Sequence, residues 1–312
     1  MPCFLFLDAI ANFNRRTRLL GSDGHKRRNT MNLRSSRSFA ATALFGVTAA
    51  SFAQTVFSGT GDTDTVTALN NFRAAIGGAN NGNAAGAQAS GRREINWDAV
   101  KLDGTDANPN TEVLIPGKLV NIPTDRFAVR GLLLEDPYSV SGDGFVSANG
   151  SVTGQFNAFS PSNTFAMGDD NELEFSFTLP GSLSGAATRG FGAIFLDVEL
   201  WGGTTMELFN GSTSLGSYDV TPSFSGGTSF LGVLFDDPAI TDVKLKLGTA
   251  NLFNLGPGGS VSGGAENIGQ GIDLVATDDF IYAEPQPVPE PATLTVVGGS
   301  LLALLRKRRK SA

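Results

Sequence analysis

The chain has 312 residues, a formal net charge of −7, one cysteine and one histidine. Cys3 and His25 both fall in the first 30 residues, so nothing after them can form a disulfide, a thiol nucleophile, a Ser-His-Asp triad or the usual His/Cys zinc site. Whatever folds there is held together by core burial, in a length sufficient for one large β domain or two small ones.

Residues 1–30 carry six basic residues and no recognisable element, and read as an extension ahead of the true start at Met31. A secretory leader follows. Met31–Arg37 is a positive n-region, Phe39–Thr48 a small apolar h-region, and Ser51-Phe52-Ala53 a small-x-small cleavage site that would leave Gln54 as the first mature residue. Removing 1–53 and 291–312 leaves 10 basic against 28 acidic residues, a net charge of −18. So acidic a body excludes nucleic acid as a partner, because phosphates need cationic contacts; it favours solubility or cation binding.

Residues 54–112 are expected to lead into the body as one helix and a Gly/Asn-rich loop. Val66, Leu69, Phe72 and Ile76 have helical spacing over 64–76, with Thr63 or Asp62 as N-cap and Gly77 as terminator. Gly77–Gly91 reads as loop. Gly91-Arg92-Arg93-Glu94-Ile95-Asn96-Trp97-Asp98 resembles segments near the start of other secreted bacterial proteins, a likeness that implies no activity. Its plain physical reading is a capping segment that packs Trp97 over the core.

From 113 to 284 the pattern is β. Leu173, Phe175, Phe177 and Leu179 share one face by alternation, as do Val243, Leu245 and Leu247. Met206–Phe209 runs into Asn210-Gly211, a strong hairpin signal. Further strands are predicted at 126–135, 191–200, 214–220, 229–235 and 274–283. Many short strands with close Gly/Pro punctuation predict an all-β antiparallel sandwich or jelly roll, with the one short N-terminal helix. The 23 Phe against 3 Tyr and 2 Trp suit a dry space between two sheets. Gly256-Pro257-Gly258-Gly259 and Gly263-Gly264 lack a following Lys-Ser/Thr and read as loop, not as a phosphate cradle.

The tail, 285–312, has three parts in order: Val288-Pro289-Glu290-Pro291, an apolar run Ala292–Leu305, and the basic stop Arg306-Lys307-Arg308-Arg309-Lys310. Fourteen residues make a C-terminal hydrophobic helix of about 21 Å, marginal against a bilayer core of about 30 Å. The cations hold its end on the cytoplasmic side. These residues closely resemble the PEP-CTERM sorting signal of Gram-negative bacteria. The resemblance implies processing by an exosortase, transient contact with the inner membrane, and delivery to the cell surface or extracellular matrix, often alongside exopolysaccharide. Arg189–Ala193, Phe230–Val233 and Asp278–Tyr282 are similar to the jelly-roll bodies of other proteins with this tail, which implies a fold and no reaction.

Candidate chemistry in the body is sparse. Asp103, Asp106, Asn108, Asn110 and Glu112 set oxygen side chains close together in a loop, as Ca²⁺ requires, although Thr111 stands where an EF-hand needs glycine. The alternative is a polar turn before the first strand. Asp169–Glu172, Asp236-Asp237 and Asp278-Asp279 are further Ca²⁺ candidates at expected strand ends. Asp197-Val198-Glu199 with Trp201 resembles only the second half of the Glu-x-Asp-x-Glu strand of jelly-roll glucanases, since Phe195 replaces the first Glu. No catalytic residue is therefore assigned. Trp97, Trp201, Tyr138, Tyr218 and Tyr282 are the side chains able to stack on a sugar ring, with Trp97 and Trp201 the candidate platforms. The expected protein is a non-enzymatic exported surface protein, with a carbohydrate-binding module as the alternative and a carboxylate glycosidase behind it.

Overall fold

The structure, a computed structural model, describes residues 53–106, 111–224 and 226–288. The N-terminal extension, the leader up to Phe52, Asn108, Asn110, and the tail from Pro289 on, including its expected helix, lie outside the described residues.

In chain order the described elements are β1 (Gln54–Thr60), α1 (Gly61–Ile76), β2 (Arg92–Ile95), β3 (Glu112–Ile115), β4 (Leu119–Ile122), β5 (Leu132–Leu134), β6 (Tyr138–Ser141), β7 (Thr164–Ala166), β8 (Glu172–Phe177), β9 (Ala186–Ala187), β10 (Gly190–Leu196), β11 (Thr205–Asn210), β12 (Thr213–Asp219), β13 (Thr228–Phe235), β14 (Asp242–Lys246), β15 (Asn254–Gly256), β16 (Ser260–Ser262), β17 (Ala276–Ala283) and β18 (Gln286–Pro287), with short 3-10 turns between. The strands pair antiparallel. A large sheet runs β1-β13-β10-β17-β7-β6-β4-β3, with β2 also on β17, and a small sheet runs β12-β11-β14-β8-β5.

Alternation in the small sheet sends Leu173, Phe175, Phe177, Met206, Leu208, Val243 and Leu245 inward. They meet the large sheet directly: Phe175 lies 5.1 Å from Phe191 and 5.4 Å from Phe280, and Phe177 lies 5.2 Å from Tyr282. These are ordinary spacings for aromatic pairs, two tilted and one stacked, and they define one core between two sheets.

A second core covers the other face of the large sheet. Leu69, Phe72 and Ile76 of α1, with Phe145, Val152, Phe156 and Phe253 from loops, pack on Ile194, Leu196, Phe230 and Ile281. Gly192 stands opposite Gly232 in the β10–β13 ladder. A Cβ on Gly232 would lie 2.9 Å from the Phe230 ring and 3.0 Å from the Phe72 ring, so glycine is what lets the helix seat its phenylalanine on the sheet.

The hairpin at Asn210-Gly211 forms as predicted, and the expected strands at 172–179, 191–200, 214–220, 229–235, 243–247 and 274–283 are present with shifted ends. The helix starts earlier than expected, at Gly61, with Thr60 as N-cap but no side-chain cap bond; Asp62 and Asp64 sit in the first turn, where the dipole favours acid. Gly77 ends it, its N–H bonding Arg73 O at 3.0 Å. Val66 is exposed, and Thr65 and Ala68 take its place in the buried stripe because the Thr65 hydroxyl bonds Thr228 O across the sheet. The strand expected at 126–135 is instead a 3-10 turn at Ala128–Arg130 followed by β5, since Gly131 turns the chain at φ 80°. Gly256–Gly259 caps the β15–β16 hairpin. Segment 54–112, expected to lead into the sandwich, supplies β1 and β2 to its large sheet.

Candidate functional site

The outer face of the small sheet is the polar complement of its inner face. Odd positions of β8 and β14 point to the core, so Glu172, Glu174, Lys244 and Lys246 point to solvent. Register then pairs opposite charges across strands: Lys244 faces Glu174 on one side and Glu207 on the other, and Lys246 faces Glu172. Lys244 Nζ lies 2.5 Å from Glu172 and 2.9 Å from Glu174, and these bonds raise its pKa.

A groove of about 980 Å³ opens over this face, bounded by Glu135 and Thr124 on one side and by Phe209, Ser212 and Asp242 on the other. The Glu135 carboxyl hydrogen-bonds that of Glu174, which raises the Glu135 pKa, while the bond from Lys244 lowers that of Glu174. The groove presents hydrogen-bond acceptors and one ammonium.

Trp97 is not a sugar platform. It is 1% exposed, stacks on Phe165 at 3.7 Å, and donates from Nε1 to Asp278 O at 2.6 Å. Its segment works as a structural hub. Asp98 accepts the N–H groups of Ser162 and Asn163, and Glu94 binds Arg73 and Arg92. Arg93, which sequence reasoning passed over, is fully buried in a two-bond pair with Glu284 and donates to the carbonyls of Gly82, Ala84, Gly86 and Val129. The available signal was parity: in β2, Arg93 shares a face with Ile95.

Trp201, by contrast, is 70% exposed on the loop after β10, and Phe224 is 67% exposed on a neighbouring loop tied to it by Ser223 N–H to Val198 O at 2.8 Å. Tyr138 and Tyr282 are buried, with hydroxyls donating to Glu174 O and Arg130 O. The Tyr218 hydroxyl donates to Gln54. Asp197 and Glu199 do not share a strand face: β10 ends at Leu196, and Asp197 is buried with φ 63°.

The candidate Ca²⁺ loop is not assembled by its described members. Asp103 accepts from Thr105, which lowers its pKa; Asp106 pairs with Arg126 at 2.9 Å; Glu112 accepts from Asn121 at 3.4 Å. Among the described residues no three His, Cys, Asp or Glu side chains converge to hold a metal ion. Asp169 accepts the Leu255 N–H from a distant segment, and Asp170 accepts that of Asn171 within its own turn. Asp278 and Asp279 sit inside β17, not at its end. The β10–β17 register slips between Ala193–Phe280 and Phe195–Thr277, so one residue faces two, and both carboxyls reach Ser160 Oγ.

Comparisons with protein families, curated proteins and solved structures find no match for this chain.

Proposed function

We propose that this is an exported, non-enzymatic cell-surface or matrix protein, sorted by a PEP-CTERM tail through an exosortase, whose jelly-roll-like body contacts exopolysaccharide along the outer face of the small sheet. The observation that carries this reading is the order of Val288-Pro289-Glu290-Pro291, an apolar run and Arg306–Lys310 in a chain that also has a leader ending at Ala53. Two features support it. Val288 is half-exposed where the chain leaves β18, as a segment awaiting a processing enzyme must be. The groove carries acceptors and an ammonium.

A carbohydrate-binding module proper is the second reading, favoured by the exposed Trp201 and Phe224. The test is production of the full chain in a Gram-negative cell with and without an exosortase. The expected product has lost the leader and part of the tail only when the enzyme is present, and lies outside the inner membrane. An identical, full-length cytosolic product in both cells would overturn the reading. On exported protein, glycan binding abolished by Trp201→Ala would select the module over the groove.

A further inference from the structure

Hydrogen bonds link Asp197 at the end of β10, Gly226, Gln155 and the segment 266–274 ahead of β17 into one polar junction. Asp197 Oδ1 accepts the Gly226 N–H at 2.7 Å. A Cβ on Gly226 would lie 3.4 Å from Gln155 O, which places that loop alongside. Gln155 Nε2 donates to Glu266 Oε1 at 2.9 Å, and Glu266 Oε2 accepts the Leu274 N–H at 3.1 Å. Asp273 Oδ2 accepts the N–H groups of Glu199 and Leu200 at 3.2 and 2.9 Å.

Two oxygens here are left over. Asp273 is 0% exposed, yet its Oδ1 has no hydrogen-bond partner; neither has the buried Oε1 of Gln155. Buried polar atoms are nearly always satisfied, and an unmatched carboxylate oxygen is among the costliest to leave bare, so an orphan calls for an ion or a water. The donors to these acids point to the ion. The hydrogen bonds to Asp197, Glu266 and Asp273 come from neutral amides, and no Lys or Arg among the described residues forms a salt bridge with any of the three.

We propose that this junction is a divalent-cation site, with Ca²⁺ held by Asp273 Oδ1, Gln155 Oε1 and the Asp197 carboxylate, and with Glu199 and Glu266 adding negative charge around it. Hard oxygen donors without nitrogen or sulfur select Ca²⁺ among common cations. Since no three acids converge as a ready cage, backbone carbonyls and water complete the shell, and binding draws the four segments together. The site is distinct from the 103–112 loop.

The test is titration of the chelator-treated full chain with CaCl₂, read by calorimetry and thermal unfolding. One ion is expected to bind, in roughly the 10⁻⁴–10⁻³ M range of extracellular modules, and to raise the unfolding midpoint. Asp273→Asn should weaken binding at least about tenfold, while Glu174→Gln in the groove leaves it unchanged. Should Asp273→Asn fail to fold, Gln155→Met makes the same comparison. No binding by the unaltered chain, or binding that survives Gln155→Met and Asp273→Asn alike, overturns the proposal and leaves the two oxygens to water.

Discussion

The two sheets solve different problems with the same residue types. In the large sheet, β10, β13 and β17 are buried along their whole length, since one face meets the small sheet and the other meets α1 and its loops. In the small sheet, burial alternates residue by residue along β8 and β14. The large sheet therefore reads as apolar runs interrupted by glycine, and the small one as apolar-polar alternation. A sheet wet on one face has somewhere to put carboxylates and a lysine without desolvating them. The large sheet has not, and its polar side chains must be satisfied internally: Thr277 bonds Phe165 O, and Asp278 accepts the Phe159 N–H.

That contrast can be broken most directly at Phe280, whose ring lies within 6 Å of those of Trp97, Phe165, Phe175 and Phe191. Phe280→Ala should cost about 3–5 kcal/mol in denaturant unfolding. A loss under about 1 kcal/mol would mean the sheets are not packed on one another through this ring.

A second test uses the acid pair in the β17 bulge. Burial, then repulsion from Asp279, raises the Asp278 pKa; burial likewise raises that of Asp279. The folded chain then keeps a proton that the unfolded chain releases above about pH 4. The stability linked to it is fully present below that pH and is lost as pH rises through the folded pKa. The calcium-free midpoint should fall from about pH 5 to about pH 9, and Asp278→Asn should flatten the fall. A midpoint that climbs across this interval would contradict a buried pair.

The smallest effect belongs to the outer face of the small sheet. Glu172→Ala removes one partner of Lys244 where both side chains are about a third exposed. Solvent screening should hold the loss to about 0.5 kcal/mol or less, further reduced by salt. A loss of several kcal/mol would show that the groove is a structural network instead of an open binding face.

Much of the sandwich was legible because its signals are local. Leu173-Glu174-Phe175-Ser176-Phe177 alternates, Asn210-Gly211 turns, and Gly77 stops a helix whatever surrounds it. The strands β1, β2, β4, β6 and β7 were not legible: three to seven residues long, they become strands by pairing with partners distant in sequence, as β1 does with β13. The same holds for the sites. Trp97 reads as a sugar platform until Phe165, 68 positions away, is found stacked on it. The groove joins Glu135, Glu174 and Lys244 from three strand neighbourhoods, and the cation junction joins Gln155, Asp197, Glu266 and Asp273 from four.

By itself the sequence settled composition: no thiol or imidazole after residue 30 and an acidic excess over residues 54–290, both of which follow from residue type alone. Tertiary structure alone decided which of the many carboxylates are wet, paired or stranded. Ionisation and ligand capacity depend on solvent access and on neighbours within a few ångströms, and only folding brings those neighbours together.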